Sequence, residues 1–260
     1  MVSGAIAGVL SSIGYKCNMS NKDILYRSDS GPIKPFEFTQ RVAEVFPDMI
    51  ERSVPGYPLT IAMLSVIADK YVQDHSNIYD LGCSLGAASM AIQQGVKNKS
   101  CNIIAIDNSR AMIDLCNKNI SQDNHKNKIA FELGDALRTN IENASVVVMN
   151  FTLQFIPLAQ RQSLIDKIYQ GLLPGGVLVL SEKIVFEDGL ENDMLIQLHH
   201  HMKELNGYEQ LEIANKRDAL EKVLIPESLE EHQQRLSNAG FLQSITWLKC
   251  FNFVSLIARK

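Results

Sequence analysis

The chain has 260 residues, of which 46% are hydrophobic and 21% charged, with 15 Gly and 8 Pro. This composition is typical of globular proteins and excludes collagen-like and low-complexity chains. Lys and Arg number 25 against 29 Asp and Glu, a net charge of −4, which argues against a protein that binds nucleic acid through a basic face. No run of 18 apolar residues occurs, so no membrane-spanning helix is expected.

The cysteines indicate a reducing compartment. They number five, and no two of them form a C-x-x-C pair. Dispersed thiols of this kind are typical of proteins without disulfides, so we expect a cytoplasmic protein. The triplet His199-His200-His201 does not suggest a metal site, because adjacent residues of a helix point about 100° apart and cannot bind one ion together.

The N-terminal part of the chain predicts an arm followed by two helices. Residues 1–18 are expected to lie outside the fold, and residues 19–38 are polar and interrupted by Gly and Pro. They lead into a single predicted domain, residues 39–260. Apolar residues at helical spacing predict helices over residues 40–50 and 58–72, and Pro58 suits a first helical turn.

From residue 77 onward, strands alternate with helices. Strands are predicted over 77–82, 101–107, 129–133, 144–151 and 177–181, and helices over 86–96, 111–120 and 157–172. This alternation predicts an α/β fold with a parallel sheet and helices on both faces. Residues 188–223 form a charged helical insertion, and Ser228 and Glu231 form a capping box that opens a further helix. A terminal hairpin over 241–250 and 252–258 completes seven predicted strands, the last of them antiparallel.

The most informative stretch is the glycine-rich turn Asp80-Leu-Gly-Cys-Ser-Leu-Gly86, which follows a predicted strand and opens a helix. Glycines let the backbone approach a ligand closely, and the helix start offers N–H donors. Asp107 ends the next strand, where an acidic residue can accept hydrogen bonds from two ribose hydroxyls.

Three further features are predicted to lie at the carboxyl edge of the sheet or to frame it. Asp135 follows the third strand and could accept from an adenine amino group, Asn150 ends the fourth strand, and a Pro-Gly-Gly turn at 174–176 precedes the fifth. Because the carboxyl ends of parallel strands meet at one edge, we expect a single ligand site there.

Together these residues resemble the class I S-adenosylmethionine-dependent methyltransferase superfamily, over residues 76–187, with its Rossmann-like methyltransferase fold. The Asp two residues before the first glycine and the Pro-Gly-Gly turn distinguish the chain from NAD-binding enzymes. The sequence departs from the superfamily at Ser84, where the loop usually has its middle glycine. A Ser there narrows the approach to the ligand or adds a hydroxyl contact.

A more specific resemblance, over about residues 41–258, is to the carboxy-S-adenosyl-L-methionine synthase family. It is carried by stretches such as Arg52-Ser-Val-Pro-Gly-Tyr57, Asn150-Phe-Thr-Leu-Gln-Phe155 and Leu180-Ser-Glu-Lys183. The resemblance implies that S-adenosyl-L-methionine and prephenate are converted to carboxy-S-adenosyl-L-methionine, phenylpyruvate and water, without a metal. It further implies that the product can co-purify with the protein, and that a separate tRNA carboxymethyltransferase uses it to make 5-oxyacetyl uridine at the wobble position.

The resemblance also implies a role for each candidate site residue. Arg217 would bind the carboxylate that the product gains, a task that suits the planar guanidinium, and it is the one residue expected to take part in catalysis. The remaining residues would bind the adenosyl ligand: Tyr57 from the N-terminal side, Gly82, Cys83 and Ser84 along the methionine part, Asp107 and Asn108 at the ribose and adenine, Asp135 and Ala136 at the adenine, and Asn150 at the amino-acid end or the sulfonium.

The residues alone leave other interpretations open. Asp107 could cap the following helix and Asp135 could be a turn residue. Cys83 is expected to be a packing residue rather than a nucleophile, Tyr57 could belong to the core, and Arg217 could lie on a solvated helix face. Two other functions also remain open, a small-molecule methyltransferase and a non-catalytic carrier of an adenosyl ligand.

A homodimer is expected, with the helical insertion and the arm as its contact. Apolar residues recur in the insertion at largely helical spacing, at Leu195, Ile196, Leu198 and Met202. Packing of these residues within one chain is an equally good explanation of the pattern.

Overall fold

The computed structural model describes residues 21–27, 34–96, 98–119 and 127–260. The extension predicted over residues 1–18 lies outside them. The strands of these ranges are β1 (Ser76–Leu81), β2 (Cys101–Asp107), β3 (Ile129–Leu133), β4 (Ala144–Asn150), β5 (Leu172–Lys183), β6 (Gln243–Cys250) and β7 (Phe253–Arg259). The α-helices are α1 (Gln40–Ser53), α2 (Tyr57–Tyr71), α3 (Ala87–Gly95), α4 (Arg110–Asn119), α5 (Leu158–Gly171), α6 (Gly189–Leu205), α7 (Gln210–Leu220) and α8 (Leu229–Ala239).

The strands form one sheet in the order β3-β2-β1-β4-β5-β7-β6. Strands β1 to β5 pair in parallel, and β7 runs antiparallel to both β5 and β6. The predicted seven-stranded, mostly parallel sheet with an antiparallel last strand is therefore confirmed. The chain builds outward from β1 to β3 and then returns to the other side of β1 with β4. This reversal creates a switch point between β1 and β4, where open α/β sheets bind ligands.

Helices cover both faces of the sheet, as predicted, because successive strand residues point to opposite sides. On one face, Val146 and Val148 of β4 pack in the core that includes α2 and α3. On the other face, Val147 and Met149 pack in the core that includes α5 and α8. All four side chains are fully buried, which is why this stretch of the sequence is almost continuously apolar.

The start of β5 differs from the prediction. The strand begins at Leu172, five residues earlier than expected, and the Pro-Gly-Gly turn lies inside it. The pairing with β4 passes from Ala144 opposite Leu172 to Val146 opposite Val177, so the turn bulges out of the ladder and the pairing resumes after it. Gly175 adopts a φ of +78° at this bulge, a conformation that favours glycine.

The insertion forms two helices, α6 and α7, near the carboxyl edge of the sheet. Asp188 caps α6 by accepting the N–H of Glu191, and a capping box of Glu209 and Glu212 opens α7. The described part of the arm packs against α7, since the N–H of Phe36 donates to the carbonyl of Ala219 at 2.9 Å. The insertion and the arm thus add walls to the edge at which the strands end.

Candidate active site

A cavity of about 520 Å³ lies at the carboxyl edge of the sheet. Its walls come from the ends of the parallel strands, from α6 and α7, and from the aromatic residues Phe36 and Phe38 of the arm. The volume is in the range of sites for small molecules. Eight of the ten predicted site residues line the cavity: Gly82, Ser84, Asp107, Asn108, Asp135, Ala136, Asn150 and Arg217.

Gly82 is at a position that only glycine can occupy without strain. Its φ is +82°, and a Cβ atom would lie 2.3 Å from Oγ1 of Thr152. The N–H groups of Gly82 and Cys83 both donate to the carbonyl of Ile106, at 2.8 and 2.9 Å. The turn is therefore tied to β2, and its backbone faces the cavity without a side chain in between.

Ser84 also has a left-handed backbone, with a φ of +48°, although it is not glycine. Its N–H donates to Oδ2 of Asp107 at 2.8 Å, and the other carboxylate oxygen accepts the N–H of Ser109 at 2.8 Å. The second bond is the local turn contact expected of an Asp near a helix start. Each oxygen keeps a lone pair, so Asp107 orders the glycine-rich turn and can still accept from a ligand hydroxyl. Burial raises the pKa of Asp107, against the lowering effect of these two hydrogen bonds.

Asp135 also has a local structural role and lines the cavity. Its Oδ1 accepts the N–H of Leu137 at 2.9 Å, and Arg138 lies 3.9 Å from Oδ2. The turn interpretation and the ligand interpretation of Asp135 are therefore compatible. Ala136 is buried beside it.

Asn150 lines the cavity and carries an unsatisfied polar atom in its side chain. Its Oδ1 is buried and has no hydrogen-bond partner among the described residues. Leaving such an atom unpaired costs about 1–3 kcal/mol, which a ligand donor would recover. The next residue, Phe151, has a φ of +61°, so the chain turns sharply where β4 ends.

Glu182, which the sequence analysis did not single out, holds the turn after Asn150. Its two oxygens accept the N–H groups of Leu153 and Gln154, at 2.8 and 2.9 Å. Burial raises the pKa of Glu182 to about 8 despite these bonds and the nearby charge of Arg161. The carboxyl group thus fixes the short 3₁₀ helix Leu153–Phe155, which brings Phe155 to the cavity wall.

Tyr57 and Cys83, the other two predicted site residues, do not line the cavity. Tyr57 is 7% exposed and packs near Phe151, with ring centroids 6.5 Å apart, so it supports a residue of the wall. The thiol of Cys83 is in the apolar core. Burial raises the pKa of that thiol, which does not suit a nucleophile.

One end of the cavity is lined by cations, and only Arg217 among them was predicted from the sequence. Lys183 ends β5, Lys203 belongs to α6, and Lys216 precedes Arg217 in α7. The Arg217 side chain is exposed and lies 3.2 Å from that of Asp218, whereas Lys203 and Lys216 are buried. We call these four residues the cationic end of the cavity.

The histidine triplet extends from the interior to the surface. His199 is buried, with Nε2 2.8 Å from the carbonyl oxygen of Ser53, and burial lowers its pKa to about 3. His200 lines the cavity, and His201 is exposed. His199 and Lys203 are four residues apart in α6, so they share its buried face.

In the described part of the chain, no three His, Cys, Asp or Glu side chains are grouped so that they could hold a metal ion. None of the helices described there has the length and apolar character needed to cross a membrane.

Comparison with known proteins identifies the family. A family described as "Methyltransferase domain" matches residues 78–176. A carboxy-S-adenosyl-L-methionine synthase of Escherichia coli strain K12 is 50% identical over 242 residues, which cover 93% of this chain and 98% of that protein. The enzyme of the same name from Aliivibrio salmonicida is 47% identical, with 93% of this chain and 100% of that protein covered.

Solved structures agree on the fold at low sequence identity. Human N-acetylserotonin methyltransferase in complex with S-adenosylmethionine matches with a TM-score of 0.55 and 19% identity, covering 99% of this chain and 67% of that chain. A cyclopropane synthase from Mycobacterium tuberculosis matches with a TM-score of 0.53 and 16% identity, covering 72% of this chain and 62% of that chain. The fold is the Rossmann-like methyltransferase fold, and the chain belongs to the carboxy-S-adenosyl-L-methionine synthase family of transferases.

Proposed function

We propose that this protein converts S-adenosyl-L-methionine and prephenate into carboxy-S-adenosyl-L-methionine, phenylpyruvate and water. The observation that carries the proposal is that one cavity combines the Asp107 carboxylate, suited to a ribose, with a cationic end suited to carboxylates. An ordinary methyl transfer needs only an aligned nucleophile and no cluster of cations.

The order of the strands supports a direction for the adenosyl ligand. Asp135 follows β3, Asp107 ends β2, Gly82 follows β1, Asn150 ends β4 and Lys183 ends β5. In the sheet these strands are neighbours in that order. We infer that the adenine lies by β3, the ribose by β2, and the methionine part between β1 and β4. The cationic end would then be next to the sulfonium, about 14 Å from the ribose site, or three strand spacings.

The proposed chemistry reverses the usual polarity of the sulfonium methyl. Prephenate loses its ring carboxylate as carbon dioxide and its ring hydroxyl as hydroxide, and the ring becomes aromatic. The hydroxide removes a proton from the methyl group and becomes water. The resulting carbanion attacks the carbon of carbon dioxide, which forms the new C–C bond. The protein has to hold both reactants, exclude water and bind carboxylates, and Arg217 would bind the new one.

The product would be a donor for a separate tRNA carboxymethyltransferase, which makes 5-oxyacetyl uridine at the wobble position. The same proposal assigns the protein to the cytoplasm, where tRNA is modified. Direct binding of tRNA by this chain is not proposed, in line with its net charge of −4.

We also propose a homodimer formed through α6. Of the apolar residues expected to form the contact, Leu195, Ile196 and Met202 are partly buried and Leu198 is exposed. Leu198 belongs to a stripe of exposed apolar residues on α6. A second copy of the chain would cover this stripe in a dimer. The stripe consists of Leu190, Met194, Leu198 and Leu205. Light scattering of the wild type and of Met194→Glu tests this: a dimer that the substitution dissociates supports it, and a monomeric wild type contradicts it.

The activity is tested by incubating the purified protein with both substrates and separating the products by chromatography with mass detection. Carboxy-S-adenosyl-L-methionine and phenylpyruvate should form in equal amounts, and neither should form when prephenate is omitted. S-adenosylhomocysteine as the product, without a need for prephenate, would identify a small-molecule methyltransferase instead. Binding of S-adenosylmethionine without turnover would identify a carrier.

A further inference from the structure

The cationic end contains two ammonium groups that the protein itself does not neutralise. Lys216 lies 3.5 Å from Asp23, and Arg217 lies 3.2 Å from Asp218. By contrast, the ammonium groups of Lys183 and Lys203 have neither a hydrogen-bond acceptor nor an ion-pair partner in the described ranges.

Lys203 is the more unusual of the two because it is 7% exposed. Burying an ammonium group without a partner is costly. Burial and the like charges of Lys216 and Lys183 lower the pKa of Lys203 to about 7. The carboxylate of Asp23 acts in the opposite direction, but it already accepts a hydrogen bond from Tyr208 at 2.7 Å and pairs with Lys216. An anion that enters the cavity would supply the missing partner.

The wall beside these lysines is aromatic. Phe151 and Phe253 both line the cavity, and their rings are 6.0 Å apart in an edge arrangement. The ring of His199 packs against Phe253 at 5.0 Å. A ligand that fits here therefore combines a flat unsaturated ring with anionic groups.

We propose that Lys183 and Lys203 bind the carboxylates of the second substrate, a dicarboxylic acid built on an unsaturated ring, and that Phe151 and Phe253 contact that ring. Arg217, which lines the same cavity, would then bind the carboxylate that the product gains. This inference rests on the proposed function and adds the residues that select the second substrate. It places the carboxylate donor beside Asn150, on the side of the cavity away from the ribose site.

The test uses two variants that remove the charge and keep an unbranched side chain, Lys183→Met and Lys203→Met. The matched control is Lys70→Met, which changes an exposed lysine in the last turn of α2, away from the cavity. Two quantities are measured for each protein. The first is the KM for prephenate, and the second is the Kd for S-adenosylhomocysteine, which reports the adenosyl site. Calorimetry with prephenate, on protein saturated with S-adenosylhomocysteine, adds a binding measurement that needs no turnover.

We expect the KM and the Kd for prephenate to rise about tenfold or more in both cavity variants, the loss expected for a charge-assisted hydrogen bond. The Kd for S-adenosylhomocysteine should stay within about twofold of wild type, and the control should change neither quantity. Unchanged prephenate binding in both variants would overturn the inference. An equal loss of S-adenosylhomocysteine binding would also overturn it, since the lysines would then hold the whole site together.

Calorimetry with prephenate distinguishes a failure of this inference from a failure of the proposed function. A wild-type protein that neither reacts with prephenate nor binds it contradicts the proposed function. A wild-type protein that makes the carboxylated product, while both variants bind prephenate as it does, contradicts the lysine assignment alone.

Discussion

The carboxylate of Asp107, at the end of β2, accepts the backbone N–H of Ser84, in the glycine-rich turn after β1, at 2.8 Å. This bond connects the chain segments that follow two neighbouring parallel strands at the carboxyl edge of the sheet. A single side chain thereby shapes the turn that lines the cavity and keeps lone pairs that a ligand could use.

Replacing Asp107 by Asn tests this double role. An amide has one acceptor oxygen, so its NH₂ group would face either the N–H of Ser84 or that of Ser109. We expect the Kd for S-adenosylmethionine to rise about tenfold or more, measured by calorimetry. Asp114→Asn, which changes an exposed carboxylate on α4, is the control and should bind like wild type. Wild-type affinity in Asp107→Asn would show that the carboxylate is only a helix cap.

Ser84 allows a test of backbone strain. A left-handed conformation costs a non-glycine residue about 1 kcal/mol or more, and glycine removes that cost while gaining freedom in the unfolded chain. We expect Ser84→Gly to unfold at the same denaturant midpoint as wild type or at a higher one. Ser163→Gly, an exposed position inside α5, should lower the free energy of unfolding by about 0.5 kcal/mol. A loss of stability in Ser84→Gly as large as that in the control would contradict the strain argument.

Arg217 is expected to distinguish the product from the substrate. Its exposed partner Asp218 holds it weakly, so the guanidinium is available to a ligand carboxylate. Calorimetry on Arg217→Ala should show binding of carboxy-S-adenosyl-L-methionine weakened about tenfold or more, with S-adenosylmethionine binding unchanged. Arg41→Ala, on the exposed side of α1, should change neither affinity. If Arg217→Ala binds both ligands with wild-type affinity, Arg217 does not recognise the added carboxylate.

The affinity for prephenate should depend on pH through Lys203. Its pKa is lowered to about 7, so its ammonium group is charged below that pH and neutral above it. The KM for prephenate is therefore expected to rise several-fold from about pH 6 to about pH 8, and this rise should be absent in Lys203→Met. Burial also lowers the pKa of His200 from its ordinary value and that of Lys216 to about 8, so the comparison with Lys203→Met is what separates the titration of these groups from that of Lys203. The charged and titratable groups around Lys203 are His199 and His200 on α6, Lys183 on β5, Lys216 and Arg217 on α7, and Asp23 of the arm.

A flat pH profile in the wild type would contradict this assignment. So would a profile in Lys203→Met that still rises near pH 7, because another group would then be responsible.

Local sequence patterns were sufficient for the order of the elements and for the placement of three predicted residues at the carboxyl edge of the sheet. Gly82, Asp107 and Asp135 each follow or end a strand, so their placement at one edge follows from the parallel sheet alone. The predicted start of β5 was wrong because β5 pairs with β4 on both sides of a bulge. This pairing depends on β4 and not on the local sequence of β5.

The cationic end could not be predicted in the same way. Lys183 and Lys203 come from β5 and α6, and their missing partners become visible only once the helices are packed over the sheet. The same holds for Glu182, whose contacts with Leu153 and Gln154 join two strand ends. The sequence shows these charges, but their burial and the lack of an acceptor depend on tertiary packing.

The central claim, that prephenate donates the carboxyl group, is tested most directly by following the carbon. The purified protein is incubated with S-adenosylmethionine and with prephenate that carries carbon-13 in its ring carboxylate, and the products are analysed by mass spectrometry. The account predicts that the label appears in the new carboxylate of carboxy-S-adenosyl-L-methionine and that phenylpyruvate is unlabelled. Label found only as free carbon dioxide, or a carboxylated product without label, would contradict it.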